Sequence, residues 1–350
     1  MPKGSIVYYA GKAAEAWTPE SLNTGIGGSE TAVIYLTREW AKSGYDVTVY
    51  GNCSTKEGVY EGVQYLSCDR FNPNDEFDTL IIWRQPEMLD TCFKAKRVWL
   101  DLQDILDADD FTPTRIENVD TLFVKSTYQR YFLPHVPDEK FAIIPNGVDL
   151  SWLDWCEPEK DPYKLIYASG YGRGLELMLT HGWSIIRNAI PDAHLHIYYG
   201  WNLYDVYYGN QPEYIAWKQK MIELMNQPGI AEHGRVGQPE LMQAKATATI
   251  HYYAATCEET DCISARESVT VGCIPVTTDF AVFHEKNYCI KVPGDPHNST
   301  TQVAVAQKVV DLLKDPTQLE SIRQRSKAWV KTETWDRIAQ LWLAQMVLSN

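Results

Sequence analysis

Short runs rich in β-branched and aromatic residues alternate with longer segments of helical periodicity along the whole chain. The runs SIVYYA, YDVTVYG and TLIIWR in the first half, and KLIYAS, TATIHYY and IPVTT in the second, have the length and composition of strands. Between them, segments such as SETAVIYLTREWAKSG place apolar residues along one helix face. This alternation predicts an α/β protein built from open sheets that are covered by helices.

The length of 350 residues exceeds what one hydrophobic core ordinarily supports, so we expect two domains. The stretch IPNGVDLSWLDWCEPEKDPYK, with its prolines, Asn-Gly pair and charge cluster, marks a turn and then a linker. We predict a first domain over residues 1–148, a linker over 149–163 and a second domain over 164–333. Two doubly wound sheets joined there would face one another across a central cleft, with ligands beyond the carboxyl ends of the strands.

Composition and charge exclude several classes of protein. The formal net charge of −14 argues against nucleic acid as a partner, because such binding depends on Lys and Arg neutralising phosphates. The apolar runs are far shorter than the roughly 20 residues that span a bilayer. No basic amphipathic stretch in the N-terminal half favours a lipid-linked acceptor, although peripheral membrane contact stays open. Eight cysteines without a C-x-x-C pair are best explained as free thiols in a reducing cytoplasm.

We expect no bound metal. The histidines show no arrangement typical of a metal site. The one D-x-D pair, Asp107 and Asp109, lies in the acidic run DILDADD, which indicates a solvated loop.

The segment GIGGSE invites comparison with a dinucleotide-binding fingerprint, because Gly25, Gly27 and Gly28 follow a predicted strand. The position of the third fingerprint glycine is occupied by Glu30, however, and the strand ends near Ala10, well before the loop. That fingerprint needs a tight turn from strand to helix, so a dinucleotide site is not favoured.

Three stretches in this order, GIGGSETAVIYLTREWAKSGYDVTVYG, IPNGVD and EETDCISARESVTVGCIPVTT, resemble glycosyltransferase family 4, the retaining GT-B enzymes that use nucleotide sugars. The resemblance covers residues 5–345 and implies two Rossmann-like domains, with a C-terminal helix over 334–350 that packs on the N-terminal domain. It implies transfer of a sugar from a nucleoside diphosphate sugar to a hydroxyl group of a glycan or other acceptor. A UDP- or GDP-sugar is the expected donor, and no separate cofactor is expected.

The spacing of Glu259 and Glu267 in EETDCISARE matches the Glu-x7-Glu motif of that family. The strand TATIHYY precedes the motif and a helix starts within it, at CISARESVTVG, so the N–H groups of Ile263 and Ser264 would be unpaired at the helix start and suit a diphosphate. The resemblance assigns Glu267 to the ribose hydroxyls and Glu259 to hydroxyls of the transferred sugar. The alternative is that both are solvated partners of the helix dipole. Asp261 replaces an aromatic residue usual in the family, a departure that could alter the sugar pocket.

The resemblance also assigns Arg173, in GYGRGLEL, to the diphosphate, where a guanidinium could stabilise charge on the leaving nucleotide. The second basic residue usual in the family is missing, and Arg84 or Arg235 could assist instead. Val236, in HGRVGQPEL, is counted among the donor-binding residues.

In the first domain, Gly27 and Gly28 would let a loop backbone approach the donor phosphates or the acceptor. Many relatives carry a histidine before an aspartate beside the sugar, where this chain has Gln103 before Asp104. Gln103 can donate a hydrogen bond to the sugar but cannot carry a proton. We therefore predict Glu259, Arg173 and Gln103 as the catalytic set.

Two other functions share this fold and stay open at this stage. One is a nucleotide-sugar epimerase or phosphorylase, and the other is a catalytically silent carbohydrate-binding protein. The Glu-x7-Glu and NGVD motifs favour sugar transfer over both.

Overall fold

The computed structural model describes residues 2–153 and 158–348. Within these residues the chain divides into two compact units. Unit 1 comprises residues 2–22, 26–147 and 333–348, and unit 2 comprises residues 23–25, 148–153 and 158–332. Part of the predicted linker over 149–163, with Cys156, lies outside the described residues, as do the last two residues of the predicted segment 334–350.

Strands and helices alternate along the described chain. The strands are β1 Ser5–Tyr9, β2 Asp46–Gly51, β3 Gly58–Tyr60, β4 Val63–Ser67, β5 Glu76–Phe77, β6 Thr79–Trp83, β7 Lys94–Ala95, β8 Val98–Asp101, β9 Thr121–Val124, β10 Phe141–Ile143, β11 Asp161–Ala168, β12 His194–Tyr198, β13 Ile230–Glu232, β14 Ala248–Tyr253, β15 Ile274–Thr278 and β16 Ile290–Val292. The α-helices are α1 Gly28–Lys42, α2 Pro113–Glu117, α3 Thr127–Arg130, α4 Leu175–Leu177, α5 Trp183–Ala189, α6 Asn202–Tyr208, α7 Pro212–Met225, α8 Gln238–Thr247, α9 Ile263–Thr270, α10 Ser299–Leu313, α11 Pro316–Val330 and α12 Trp335–Leu348.

The described part of unit 1 contains an eight-stranded sheet in the order β10-β9-β8-β6-β1-β2-β4-β3. All neighbouring strands are parallel except β3 and β4. The central strands β6, β8 and β9 are buried at every position, as expected for a sheet with helices on both faces. The strand order reverses between β1 and β6, which is the switch point where such sheets bind ligands.

Helix α12 belongs to unit 1 and packs on α1 through aromatic side chains. The ring of Trp342 lies 5.6 Å from that of Trp40, and the ring of Trp335 stacks on that of Tyr35 at 5.7 Å. Burial of such large rings is among the strongest contributions to a core, so α12 is part of the unit 1 fold.

The described part of unit 2 contains a six-stranded, fully parallel sheet in the order β13-β12-β11-β14-β15-β16. Strands β14 and β15 are buried at every position. The order reverses between β11 and β14, so the loops after these two strands lie at the switch point. Of the predicted strands, IPVTT matches β15 at both ends, and a π-helical turn joins α4 to α5.

No helix in the described ranges combines the length and apolar character that crossing a bilayer requires. Seven cysteines lie in the described part of the chain, and all of them are free thiols.

Candidate functional site

The loops after β11 and β14 approach each other closely at the switch point of unit 2. Gly174, in the loop after β11, has a φ of +109°, and a Cβ atom there would lie 2.5 Å from the carbonyl oxygen of Ala254. Only glycine fits such a position. The close approach places Arg173, which precedes Gly174, beside the loop that contains Glu259.

Arg173 and Glu259 form an ion pair in which Nη1 lies 2.7 Å from Oε1. The hydroxyl of Tyr253, at the end of β14, donates to the same oxygen at 2.5 Å. The side chain of Glu259 is 9% exposed and that of Arg173 is 48% exposed, so the pair opens to solvent on the arginine side. The Glu259 carboxylate raises the pKa of Arg173 well above its ordinary value, which keeps the guanidinium charged. Burial raises the pKa of the neighbouring Cys257 to about 11, so this thiol is protonated at neutral pH.

Helix α9 begins beyond β14 without a side-chain cap. Cys262 precedes it with a φ of +63°, a left-handed conformation that is uncommon for a residue other than glycine. The N–H groups of Ala265 and Arg266 donate to the carbonyl of Cys262. The N–H groups of Ile263 and Ser264 precede these first intrahelical bonds and point along the helix axis, where they favour an anion.

Glu267 lies one turn into α9 and is held by two side chains of α8. Nζ of Lys245 lies 2.6 Å from Oε2 of Glu267, and Nε2 of Gln238 donates to Oε1 at 2.9 Å. The Glu267 side chain is 14% exposed. Lys245 also donates to the carbonyl and hydroxyl oxygens of Ser264, at 3.0 and 3.1 Å. Glu267 and Ser264 therefore share one cation.

Asp261 lies inside unit 2, between two cations. Arg266 donates to its Oδ2 from Nε at 2.8 Å, and Nζ of Lys286 lies 2.5 Å from its Oδ1. Burial alone would raise the pKa of Asp261, but the charges and hydrogen bonds of Arg266 and Lys286 outweigh it and lower this pKa to about 2. Asp261 thus anchors the loop before α9, and its carboxylate is committed to these two cations.

Val236 lies between β13 and α8 and packs against the apolar cluster that includes Ile166 and Tyr198. A Cβ atom at Gly25, which has a φ of +99°, would lie 2.6 Å from the carbonyl oxygen of Val236. Glycine is therefore required where residues 23–25 approach this loop of unit 2.

Gly27 and Gly28 lie in unit 1, where Gly27 precedes α1 and Gly28 is its first residue. Arg84, beyond β6, donates to the hydroxyl of Ser29 at 2.7 Å and pairs with Asp104 at 2.6 Å. Arg84 has a φ of +63°, an uncommon conformation that often accompanies functional sites. The switch point of unit 1 thus has its own arginine, paired within that unit.

Gln103 also lies in unit 1, and its side chain is buried. Its Nε2 donates to Oδ2 of Asp101 at 3.2 Å. Asp101 further pairs with Lys125 at 2.6 Å and accepts a hydrogen bond from the hydroxyl of Tyr8 at 2.5 Å. In this structure the Gln103 amide is part of a buried polar network, and the predicted contact with a sugar stays a prediction.

The structure brings some predicted residues together and adds others. In unit 2 it joins Arg173 with Glu259, and it links Ser264 with Glu267 through Lys245, which sequence reasoning missed. The available signal was a single lysine in the otherwise uncharged run MQAKATATIHYY. Among the described residues, no group of three or more histidine, cysteine, aspartate or glutamate side chains is arranged to hold a metal ion.

No protein-family model and no curated protein matches this sequence. Solved structures nevertheless resemble the chain over almost its whole length. Sucrose-phosphate synthase from Thermosynechococcus elongatus is 13% identical, with a TM-score of 0.71 over 99% of this chain and 98% of that one. A glycosyltransferase from Rickettsia africae has the same identity and coverage and a TM-score of 0.73. HepE of Anabaena in complex with UDP-glucose is 13% identical, with a TM-score of 0.69 over 99% of this chain and 100% of that one. At this identity the likeness shows the fold, and the predicted class, α/β with two Rossmann-like sheets as in GT-B glycosyltransferases, is confirmed.

Proposed function

We propose that this chain is a retaining glycosyltransferase of family 4, which transfers a sugar from a nucleoside diphosphate sugar to an acceptor hydroxyl group. The observation that carries the proposal is the convergence of Arg173, Glu259 and the start of α9 at the switch point of the unit 2 sheet. Open α/β sheets bind ligands at this edge. Solved structures of the same fold include HepE in complex with UDP and with UDP-glucose, which supports a nucleotide-sugar donor.

In this proposal the diphosphate lies at the start of α9, where the N–H groups of Ile263 and Ser264 and the helix dipole favour negative charge. Arg173 stabilises the charge that grows on the diphosphate as the bond between its oxygen and the anomeric carbon of the sugar breaks. A guanidinium has five N–H donors, so half-exposed Arg173 can bind a phosphate oxygen while it stays paired with Glu259. Glu267 accepts hydrogen bonds from the ribose hydroxyls, and Glu259 accepts those of the transferred sugar.

The proposal also covers the identity of the donor, the requirement for a metal ion and the cellular compartment. The donor is a UDP- or GDP-sugar, and the acceptor is a glycan or another hydroxyl compound. Transfer proceeds without a divalent metal, because Arg173 and the helix start supply positive charge for the diphosphate. The D-x-D pair, Asp107 and Asp109, forms a local turn, in which Asp107 accepts a hydrogen bond from the N–H of Asp109 at 3.0 Å. A cytoplasmic location is supported by the free thiols of the seven described cysteines.

The test is a transfer and hydrolysis assay with a panel of UDP- and GDP-sugars, read by nucleotide release and by NMR of the product. We expect turnover with one donor, a product that keeps the anomeric configuration of the donor, and an unchanged rate after extensive chelation with EDTA. An inverted product would contradict the retaining mechanism. Loss of activity that Mn²⁺ or Mg²⁺ restores would contradict the account of how the phosphates are held.

The same assay separates the other functions. Binding without any turnover would favour a carbohydrate-binding protein, and conversion of the nucleotide sugar without transfer would favour an epimerase or phosphorylase. If no nucleotide sugar binds, the proposal is wrong.

A further inference from the structure

Lys245, near the end of α8, has a fully buried side chain whose ammonium group lies beneath the start of α9. Its Nζ lies 2.6 Å from Oε2 of Glu267 and donates to the carbonyl and hydroxyl oxygens of Ser264 at 3.0 and 3.1 Å. An ammonium group has three N–H donors, so these three acceptors account for all of them. Lys245 is therefore engaged by protein groups and is not itself placed to bind a ligand.

A fully buried cation is unfavourable unless it is paired and hydrogen-bonded, and an apolar side chain would usually serve packing alone equally well. Here the cation holds a carboxylate that stays partly open to solvent, because Glu267 is 14% exposed. Each carboxylate oxygen can accept two hydrogen bonds, and Lys245 and Gln238 supply one to each. The carboxylate is thus fixed in orientation and keeps acceptor capacity for hydroxyl groups.

We propose that Lys245 is a positioning residue for nucleotide recognition, in which one ammonium group fixes both Glu267 and Ser264. The inference rests on the proposed function, in which Glu267 binds the ribose and the N–H group of Ser264 binds the diphosphate. Removal of Lys245 should then weaken recognition of both halves of the nucleotide. Removal of the Glu267 carboxylate should weaken recognition of the ribose alone.

Lys160 provides a matched control within the same unit. Its Nζ also donates three hydrogen bonds, to the carbonyl oxygens of Ala246, Ala248 and Val271 at 2.8 to 3.0 Å. Val271 follows the last residue of α9, at the opposite end of the helix from Ser264. K160M therefore removes a lysine that donates the same number of these hydrogen bonds, none of which goes to Glu267 or Ser264.

The experiment is calorimetric binding of UDP and GDP to the wild-type protein and to K245M, K160M, E267A and K245M/E267A. Uridine or guanosine probes the ribose half, and inorganic pyrophosphate probes the diphosphate half in competition with the nucleotide. We expect K245M to weaken binding of the preferred nucleotide by about tenfold or more, the effect of a lost hydrogen bond to a charged group. K245M should weaken both probes, E267A the nucleoside alone, and K160M neither by more than about twofold.

The double variant tests whether Lys245 acts through Glu267. The nucleoside affinity of K245M/E267A should equal that of E267A, because Lys245 has no further route to the ribose. If K245M does not fold, K245Q, which keeps two N–H donors but removes the charge, should lose nucleoside affinity in the same direction but to a smaller extent, because hydrogen bonds from a charged donor are stronger.

Two results would overturn the positioning role. One is wild-type affinity for both probes in a folded Lys245 variant, and the other is an equal loss of affinity in K245M and K160M. If the wild-type protein itself binds neither UDP nor GDP, the proposed function fails first, and this inference fails with it.

Discussion

Both sheets have a point at which the strand order reverses, but the charged side chains at these two switch points differ. In unit 2 the exposed arginine, Arg173, is paired with a carboxylate that is 9% exposed, and a helix start follows directly in the chain. In unit 1 the corresponding arginine, Arg84, is paired with Asp104, whose side chain is 50% exposed. A buried partner holds a guanidinium in one position more firmly than a solvated partner does, because solvent screens exposed pairs. The comparison indicates that the arginine at the edge of unit 2 is held more firmly than the arginine at the edge of unit 1.

The two units also bury carboxylates in different ways. In unit 2, Asp261 is paired with two buried cations, Arg266 and Lys286. In unit 1, Asp101 is paired with Lys125, whose ammonium also lies 5.0 Å from the ring of Trp342. Removal of the Asp261 carboxylate therefore leaves two buried cations of unit 2 without their anionic partner. Removal of the Asp101 carboxylate leaves only one such cation in unit 1, and the aromatic ring still attracts it.

The largest expected effect is loss of stability in D261N. Removing one partner of a buried ion pair typically costs about 3–5 kcal/mol, and D101N should cost less for the reason just given. Scanning calorimetry of both variants would measure the difference. If D101N lowers the melting temperature more than D261N does, the ranking of the two buried networks is wrong.

The second prediction concerns the two arginines. R173M should lower turnover by about 10²–10³-fold, the usual cost of removing a donor that stabilises developing charge. R84M should leave the affinity for the preferred nucleotide unchanged, because Arg84 belongs to the edge of unit 1 and is paired with Asp104. Steady-state kinetics and calorimetry of the two variants provide the measurement. Near wild-type turnover in R173M, or a loss of nucleotide affinity in R84M, would remove the distinction between the two edges.

The third prediction concerns the pH dependence of stability that arises from a histidine ladder, formed by His194 and His196 of β12 and by His233 after β13. His196 lies between His194 and His233, with ring nitrogens 2.9 and 2.8 Å apart. Burial, followed by the positive charge of Lys164 and the two neighbouring rings, lowers the pKa of His196 from 6.5 to about 4. The unfolded chain binds a proton between these values and the folded protein does not, so this contribution to stability is complete above pH 6.5 and is lost as the pH falls towards 4.

Thermal melts from pH 7.5 to 4.5 would test this account. The melting temperature of the wild-type protein should fall across this range, and that of H196N should fall less steeply. The loss of stability over this pH range should be smaller than the loss caused by D261N, because the histidines of the ladder are partly exposed and solvent screens their charges. Identical slopes for both proteins would show that His196 does not contribute.

The smallest expected effect is that of Q103H in unit 1. The substitution should alter turnover severalfold through the network of Asp101, and it should leave nucleotide affinity unchanged because the proposed nucleotide site lies in unit 2. Wild-type turnover and acceptor preference would show that Gln103 does not face the sugar. A changed nucleotide affinity would show that the network of Asp101 contributes to nucleotide binding.

Much of the fold could be predicted from short stretches of the sequence. The buried strands β6, β14 and β15 could be predicted because both faces are covered and the runs are rich in β-branched and aromatic residues. The short strands β3, β10 and β13 were missed, since three residues carry too little pattern. Helix α8 was missed because QPELMQAKAT has no clear apolar stripe.

The sequence by itself determined the alternation of strands and helices and the helix start after Cys262. It also predicted residues for nucleotide-sugar recognition, and these stay a prediction. Only the tertiary structure decided which charges meet. Arg173 and Glu259 are 86 positions apart in the chain, and Lys245 and Glu267 are 22 apart. Hydrophobic periodicity is read within a few turns of chain, whereas an ion pair forms only where the topology brings two side chains within about 4 Å. The partner of each charge at the candidate site is therefore a property of the folded sheet.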